Sequence, residues 1–453
     1  MTHKRHKRAL FSSKFGVLAA AIGSAVGLGN IWKFPYITGQ YGGGAFLVVY
    51  LGFILLVGIP IMLSEFIVGR RARKNPYGAF QKLAPNSAWR FVGLLAILTS
   101  LLTLSFYSVI AGWSMEYIVQ SGMNAFSGKT PAELGESFSQ FTRSPFQPLI
   151  YQLIFMSLTA IVIFAGIKKG IEGSAKVLMP LLIIIIILLD IKSLTLPGSS
   201  AGLEFLFKPD FNKLTSEGVL AAMGHAFFSL SLGFGTIITY GSYIENNNNL
   251  LKTSVNVGFS DTIIALAAGV AILPAVFAFG IDPTQGPGLV FVTLPNVFAQ
   301  MPGGQFFAIL FFILLTIAAL TSSISLLEVV VAYFTEELKI KRQTATFLSA
   351  IIIALLGVIC SLSMGPLKDH TIGGLNFFDA LDWLTSNVFL PIGGFFIAIF
   401  IGWKLGHEPV QDELNKGGKI FPKIITTFIF ICKYIAPAAI VMVFLNGIGL
   451  LHF

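Results

Sequence analysis

The chain has 453 residues, 55% of them hydrophobic and only 11% charged, with 30 Lys+Arg against 21 Asp+Glu and a mean hydropathy of +0.81. A soluble domain carries about a quarter charged residues, so this composition excludes a disordered chain and argues against a soluble globular enzyme. The formal net charge of +9 would suit a nucleic-acid binder only if the basic residues formed a patch, and their placement decides otherwise.

A membrane-crossing helix needs about 20 mostly apolar residues. Eleven stretches qualify, at roughly 14–38, 43–69, 91–120, 148–167, 172–191, 217–244, 253–280, 303–334, 345–363, 377–403 and 424–449. The basic run before Phe15 followed by apolar residues has the outline of a secretory leader. Ten further spans make it instead the first crossing. Of the 30 Lys and Arg, Lys33 and Lys433 fall within spans. Six lie in the segments expected outside (Lys129, Arg143, Lys192, Lys208, Lys213 and Lys368), and the remaining 22 lie in those expected inside. Basic residues favour the cytoplasmic side, which predicts a cytoplasmic N-terminus, an extracytoplasmic C-terminus and a place in the inner (plasma) membrane. The positive charge therefore reads as orientation, and no nucleic-acid partner is expected. The outer segments 198–218 and 282–304 combine apolar residues with loop length, which predicts packed caps or lids. Cys360 and Cys432 sit in apolar runs and are expected to be small buried hydrophobes.

Two spans carry glycine clusters in their middles: Gly23-Ser24-Ala25-Val26-Gly27-Leu28-Gly29-Asn30 in the first, and Phe228-Ser229-Leu230-Ser231-Leu232-Gly233-Phe234-Gly235 in the sixth. Mid-helix glycine costs about 1 kcal/mol against alanine. Close helix packing is one reason to keep it. Breaks in corresponding spans of two halves are another, and mark an inverted-repeat transporter with its site at the midplane. Freed backbone groups cannot face lipid and must line a cavity, where carbonyls hold a cation and helix N-termini an anion.

The run Gly27 to Tyr36 (GLGNIWKFPY), then Gly42 to Phe46 (GGGAF), Gly58-Ile59-Pro60 with Glu65, Gly69 and Arg70, Tyr107, Ser229 to Gly235 and Leu320 to Ser323 resemble the neurotransmitter:sodium symporter family over essentially the whole chain. The likeness is greatest to its bacterial amino-acid branch, some members of which have eleven spans. The resemblance implies an all-α polytopic membrane protein of eleven transmembrane helices. These would form a 5+5 inverted repeat with discontinuous first and sixth helices and one extra C-terminal helix. In a single transporter domain, 1–13 would be a cytoplasmic segment, 14–191 and 217–403 the two repeats, 192–216 an outer loop, 404–423 a cytoplasmic loop and 424–453 the eleventh span.

The same resemblance implies two sodium ions. One would lie on Ala25, Asn30, Ser229 and Asp261, with Ser260 an alternative to Asp261. The other would lie on Gly23, Val26, Ala318, Thr321 and Ser322. An aspartate within a span is costly, so Asp261 is read as a fixed negative charge beside its sodium. Ala265 stands where chloride-dependent relatives carry serine, which predicts chloride independence. Gly27 stands where monoamine carriers have aspartate, which implies an amino-acid substrate. Its carboxylate would meet Leu28, Gly29 and Tyr107, and its ammonium Ala25, Phe228, Ser229 and Ser231. Val26, Thr103, Phe228, Phe234, Ser322 and Leu326 would form an uncharged side-chain pocket for neutral, hydrophobic amino acids.

For the gates the resemblance implies Lys33 with Asp382 outside, where Lys replaces the family's usual Arg and Asp379 competes. Inside it implies Arg8 with Glu336, supported by Tyr243, with Phe11 packing the N-terminal segment. His225 replaces a common Gln and is expected to be a hydrogen-bonded core histidine. Gly170 and Pro180 resemble a motif for unwinding the fifth span. A monomer or homodimer is expected. A channel or an amino-acid sensor on the same scaffold remain rival readings. An intramembrane enzyme is disfavoured because no metalloprotease, nucleophile–base or phosphate-loop spacing occurs.

Overall fold

The computed structural model describes residues 10–281 and 288–450, and among these there is no β-strand. Among the described residues nine helices are long and apolar enough to cross a membrane: Gly44–Ala72, Arg90–Gly122, Gln147–Phe164, Ile167–Leu194, Leu250–Ala278, Gly304–Glu336, Arg342–Leu362, Phe377–Leu405 and Pro422–Gly447. A tenth is the pair Lys14–Ala25 and Gly29–Gln40, bent by 47° at Val26 to Leu28. The expected sixth span is split into Ser216–Ser229 and Thr236–Gly241. Ser231, Gly233 and Gly235 between them hold φ of 53°, 81° and 75°. Such left-handed backbone is open to glycine and strained for other residues, so the sequence cannot continue as helix there.

The helices differ in what surrounds them. In the most apolar stretch of Arg90–Gly122, 72% is buried within the protein, and in Gly304–Glu336 67%. In Ile167–Leu194 and Pro422–Gly447 it is 33%. The first two pack directly on each other and form the centre, while the latter two present apolar faces to lipid. Small residues permit the closest approaches. A Cβ on Gly69 would lie 2.1 Å from the Ile238 carbonyl oxygen, so the second span touches the short Thr236–Gly241 helix backbone to backbone.

Several boundaries differ from expectation. The fourth and fifth spans are joined by Ala165 and Gly166 alone, and Lys168 and Lys169 lie in the opening π-helical turn of the fifth, Ile167–Glu172, rather than in a loop. Polar short helices that carry no long apolar run occupy Pro76–Leu83, Pro131–Arg143 and His407–Asn415. Pro131–Arg143 begins with a full capping box of Thr130 and Glu133. The outer segments are packed caps. Ser199–Phe207 lies so close to the seventh span that a Cβ on Gly202 would be 2.5 Å from Pro274 Cα. In Leu289–Gln300, the Phe291 carbonyl accepts from the Tyr117 hydroxyl at 2.8 Å. Asp282, Pro283 and Pro287 of the second cap lie outside the described residues. Both cysteines are free and buried.

At the basic end one ion pair is fully enclosed. Arg70 Nε donates to Glu413 Oε1 at 2.6 Å with neither side chain exposed, and Arg70 Nη1 donates to the Asn248 carbonyl at 2.6 Å. Lys416 reaches Glu413 Oε2 at 2.6 Å. Beside them Arg71 holds the exposed Asp412 carboxyl below the usual range by a 2.7 Å hydrogen bond. Removing one partner of a buried pair strands the other. Glu413→Ala is therefore expected to cost about 3–5 kcal/mol, read as a lower thermal midpoint in detergent. Exposed Asp412→Ala should shift that midpoint by far less.

Candidate functional site

Where the first span breaks, its polar groups find partners on three other helices. Gly27 N donates to Asn30 Oδ1 at 3.0 Å, and Leu28 N to Tyr107 Oη at 2.9 Å. Asn30 Nδ2 donates to Asp261 Oδ1 at 2.7 Å, to the Asp261 carbonyl at 3.1 Å and to Ser229 Oγ at 3.1 Å. Ser229 Oγ donates to Asp261 Oδ2 at 2.8 Å, and Tyr50 Oη lies 3.5 Å from the same oxygen. Asn30, Ser229 and Asp261 are all fully buried. Ser260, the alternative, is half-buried and makes none of these contacts. Among the described residues no Lys, Arg or His forms an ion pair with Asp261, so its carboxylate meets neutral donors only. A buried carboxylate without a counter-charge is expensive. The oxygens gathered there (Ser229 Oγ and the Asp261 carboxylate and carbonyl oxygens, with Asn30 Oδ1 turned to Gly27 N) suit a small hard cation.

The second expected ion cluster also converges. Ser322 Oγ donates to the Val26 carbonyl at 3.1 Å, and Thr321 Oγ1 to the Ala318 carbonyl at 3.0 Å. A Cβ on Gly23 would lie 3.3 Å from Thr321 Cβ, so this turn sits closely against the eighth span. Ser24, absent from the expected set, contributes its carbonyl to Ser231 Oγ at 2.7 Å and to Ser322 Oγ at 3.2 Å. Ser231 is therefore turned toward the first span's backbone. Ala25, the last residue of its helix, is buried.

The expected side-chain pocket lies on a seam. Ala25, Phe234 and Leu326 belong to one packed apolar cluster, Val26, Leu28 and Tyr107 to another, and the break runs between them. Phe228 and Phe234 meet edge to face at 6.2 Å, and Gly29 lies close enough that a Cβ would be 3.2 Å from the Phe228 ring. Thr103 Oγ1 is buried without a partner. A Cβ on Gly27 would fall 2.4 Å from Ser322 Oγ and 2.7 Å from Tyr107 Oη. Ala265 is fully buried and adds no polar atom. The sixth-span break is fixed from the second span, where Glu65 Oε1 accepts from Gly233 N at 2.7 Å.

Outside this centre a cavity of about 250 Å³ is bordered by Lys33, Asp382, Asp379, Phe228, Tyr107 and Trp113. The expected Lys33–Asp382 latch is not formed. Lys33 Nζ lies over the Phe228 ring at 4.6 Å, and Asp382 Oδ1 accepts from Ser386 Oγ at 2.9 Å. A lysine lacks the fork that would hold a carboxylate in two-point contact, and the aromatic face competes for it. Asp379 is engaged by Asn376. His225 also departs from expectation. It is buried, neither ring nitrogen has a hydrogen-bond partner, and it packs on Tyr50 and Phe34 at 5.2 and 5.9 Å between ring centroids.

The opposite side is shut. Phe11 N donates to the Tyr243 carbonyl at 3.1 Å, and the Phe11 ring meets Tyr240 and Tyr243 edge-on. Tyr243 Oη donates to Glu328 at 2.7 Å. Glu328 is gripped by both Arg342 Nη atoms at 2.9 and 2.6 Å. Glu336 caps the turn before Pro76, accepting from Asn75 N at 2.9 Å. Arg8, its expected partner, lies outside the described residues. A clasp that sequence reasoning missed holds the N-terminal segment. Glu172 accepts from Ser12 N at 2.7 Å, Ser12 Oγ at 2.6 Å and Ser13 Oγ at 3.1 Å, and pairs with Lys176 at 2.7 Å. Glu172 follows Gly170 in the π-helical turn. Charged residues at span ends, Glu172 and Glu328 among them, were the available signal.

The model of the sodium:neurotransmitter symporter family matches residues 8–132 and 137–451. The chain is 42% identical over 443 residues to the Bacillus subtilis "uncharacterized sodium-dependent transporter YhdH", covering 98% of each. It is 37% identical to an "uncharacterized sodium-dependent transporter" of Haemophilus influenzae, covering 99% of this chain and all of that one. The crystal structure of MhsT in complex with L-phenylalanine superposes with a TM-score of 0.90 at 47% identity, covering 97% of this chain and 100% of that one.

The Glu172 clasp makes a local prediction. Hydrogen bonds to a charged acceptor contribute roughly 1.5–3 kcal/mol. Glu172→Gln is expected to speed amide hydrogen exchange at Ser12 by roughly 10–100-fold, with the Arg90–Gly122 core unchanged. Equal exchange in both proteins would show that the clasp does not hold the segment.

Proposed function

Because this chain belongs to the sodium:neurotransmitter symporter family, we propose that it is a sodium-coupled symporter that imports neutral, hydrophobic L-amino acids by alternating access. The observation that carries this reading is the buried Asp261 carboxylate, met by neutral donors alone at the point where two broken helices converge. A sodium ion on Asp261, Asn30, Ser229 and the Ala25 carbonyl would neutralise it, and a second would sit on Gly23, Val26, Ala318, Thr321 and Ser322. The sodium-dependent naming of close relatives supports the choice of ion.

The protein's own groups then bind and orient the solute. An amino-acid carboxylate completes the first ion's shell and accepts from Tyr107 Oη and from the amides of Leu28 and Gly29 at the start of the helix beyond the break. The ammonium faces the carbonyls around Ala25 and Phe228. With glycine at 27 and no charged side chain among Val26, Thr103, Phe228, Phe234 and Leu326, the pocket favours apolar side chains. MhsT, which binds L-phenylalanine, supports that preference. The fixed charge of Asp261, with Ala265 beside it, removes the need for a bound anion, so transport is chloride-independent. The chain crosses the plasma membrane eleven times, as two inverted five-helix repeats and one further helix, with the N-terminus cytoplasmic.

Proteoliposomes with an imposed sodium gradient and a panel of twenty amino acids test this reading. Accumulation of one or more neutral, apolar amino acids is expected, and none without sodium. Accumulation of no neutral amino acid would overturn it. Replacing chloride by gluconate should leave uptake unchanged, whereas Asp261→Asn should weaken apparent sodium affinity at least tenfold or make uptake depend on chloride. Gly27→Ala places a methyl against Ser322 and Tyr107, and should abolish substrate binding and lower the thermal midpoint by an overpacking cost of about 1–3 kcal/mol.

A further inference from the structure

A second cavity lies away from the central site, on the outer flank of the helices at their basic end. It is a groove of about 590 Å³ between the second span, the start of the seventh and the last span. Its floor is Leu55, Ile59, Leu63, Ile424 and Phe428, and Lys423 is the one charged residue along it. Lys252 and Lys419 flank it in sequence, each next to a lining residue (Leu251 and Ile420), and all three lysines are exposed. Among the described residues none of the three is in an ion pair. Of the acidic groups nearest Lys419 and Lys423 in sequence, Glu413 is held by Arg70 and Lys416, and Asp412 by Arg71. Phe421 stands 78% exposed at the groove's entrance, at the level where aromatic side chains meet lipid headgroups.

We propose that this groove is a binding site for an anionic phospholipid of the leaflet that meets the basic end. One acyl chain would lie along Leu55 to Leu63 and Ile424 to Phe428, and the phosphodiester would be held by Lys252, Lys419 and Lys423. The apolar floor explains the chain. Three unneutralised ammonium groups at one mouth explain the headgroup, because basic pockets between spans on this side select anionic lipid. A zwitterionic headgroup carries its own cation and would gain little from them. A lysine stem is apolar and long enough to lie along such a wall while its charge reaches the interface. Such a lipid would bridge the second span, which carries Glu65 and Tyr50, to the last span. The inference is independent of which solute the central site carries.

The test is native mass spectrometry of the full-length protein released from nanodiscs of equal phosphatidylglycerol and phosphatidylcholine. Retention of phosphatidylglycerol over phosphatidylcholine is expected. The triple variant K252Q/K419Q/K423Q should weaken it by about fivefold per lysine, and K252R/K419R/K423R should preserve it. Ile424→Trp, which fills the groove and leaves the charges, should displace the lipid. Equal retention of the two lipids by the unmodified protein, a measurement that needs no variant, would overturn the proposal. So would retention in the glutamine variant equal to that in the parent, or phosphatidylglycerol held undiminished with the groove filled.

Discussion

Everything at the centre of this molecule depends on one carboxylate. Breaking two helices inside a bilayer releases backbone and side-chain groups that lipid cannot satisfy. Asp261, on an unbroken helix, takes Asn30 from one break with one oxygen and Ser229 from the other with its second. The two discontinuous helices are thus registered against each other through a third. The carboxylate is also the group most in need of a counter-charge. On the proposed reading, the constraint that makes the broken helices tolerable is the same one that would draw a cation to the site.

The two faces of the molecule are built unequally. On the basic face, Phe11 is wedged between Tyr240 and Tyr243, Glu328 is held in two-point contact by Arg342, and Glu172 ties down Ser12 and Ser13. On the other face Lys33 and Asp382 border a cavity without pairing. On the proposed reading this is the arrangement in which the solute's way in is from outside. The inner closure rests on several charge-assisted contacts that must be released together, and the outer one on a single lysine drawn to an aromatic ring.

The spans were legible because apolar length is a strong signal, and the two breaks were legible because glycine clusters in otherwise helical sequence are rare. Asp261 could be singled out for the same reason, as an acid where acids are costly. What could not be read was partner choice. Tyr243 engages Glu328, and Arg342 folds back on Glu328 fourteen residues earlier. Those pairings are set by how the turn after Glu336 reverses the chain, which spacing along one helix does not encode. Lys33 was paired with Asp382 by the resemblance, and the nearby ring of Phe228 competes for it. His225 was expected to be satisfied, yet its neighbours Tyr50 and Phe34 present ring faces. The short amphipathic helices escaped because their polar faces carry no long apolar run.

The missing side chain at position 27 has a consequence for how this protein can change. A Cβ there would collide with Ser322 and Tyr107 at once, and both already serve the backbone on either side of the break. Residues that share partners in this way do not contribute additively. A shift in the ligand's charge class cannot be reached by a single replacement at 27. It requires that Tyr107 and Ser322 give way in the same step, so the three positions form one epistatic unit.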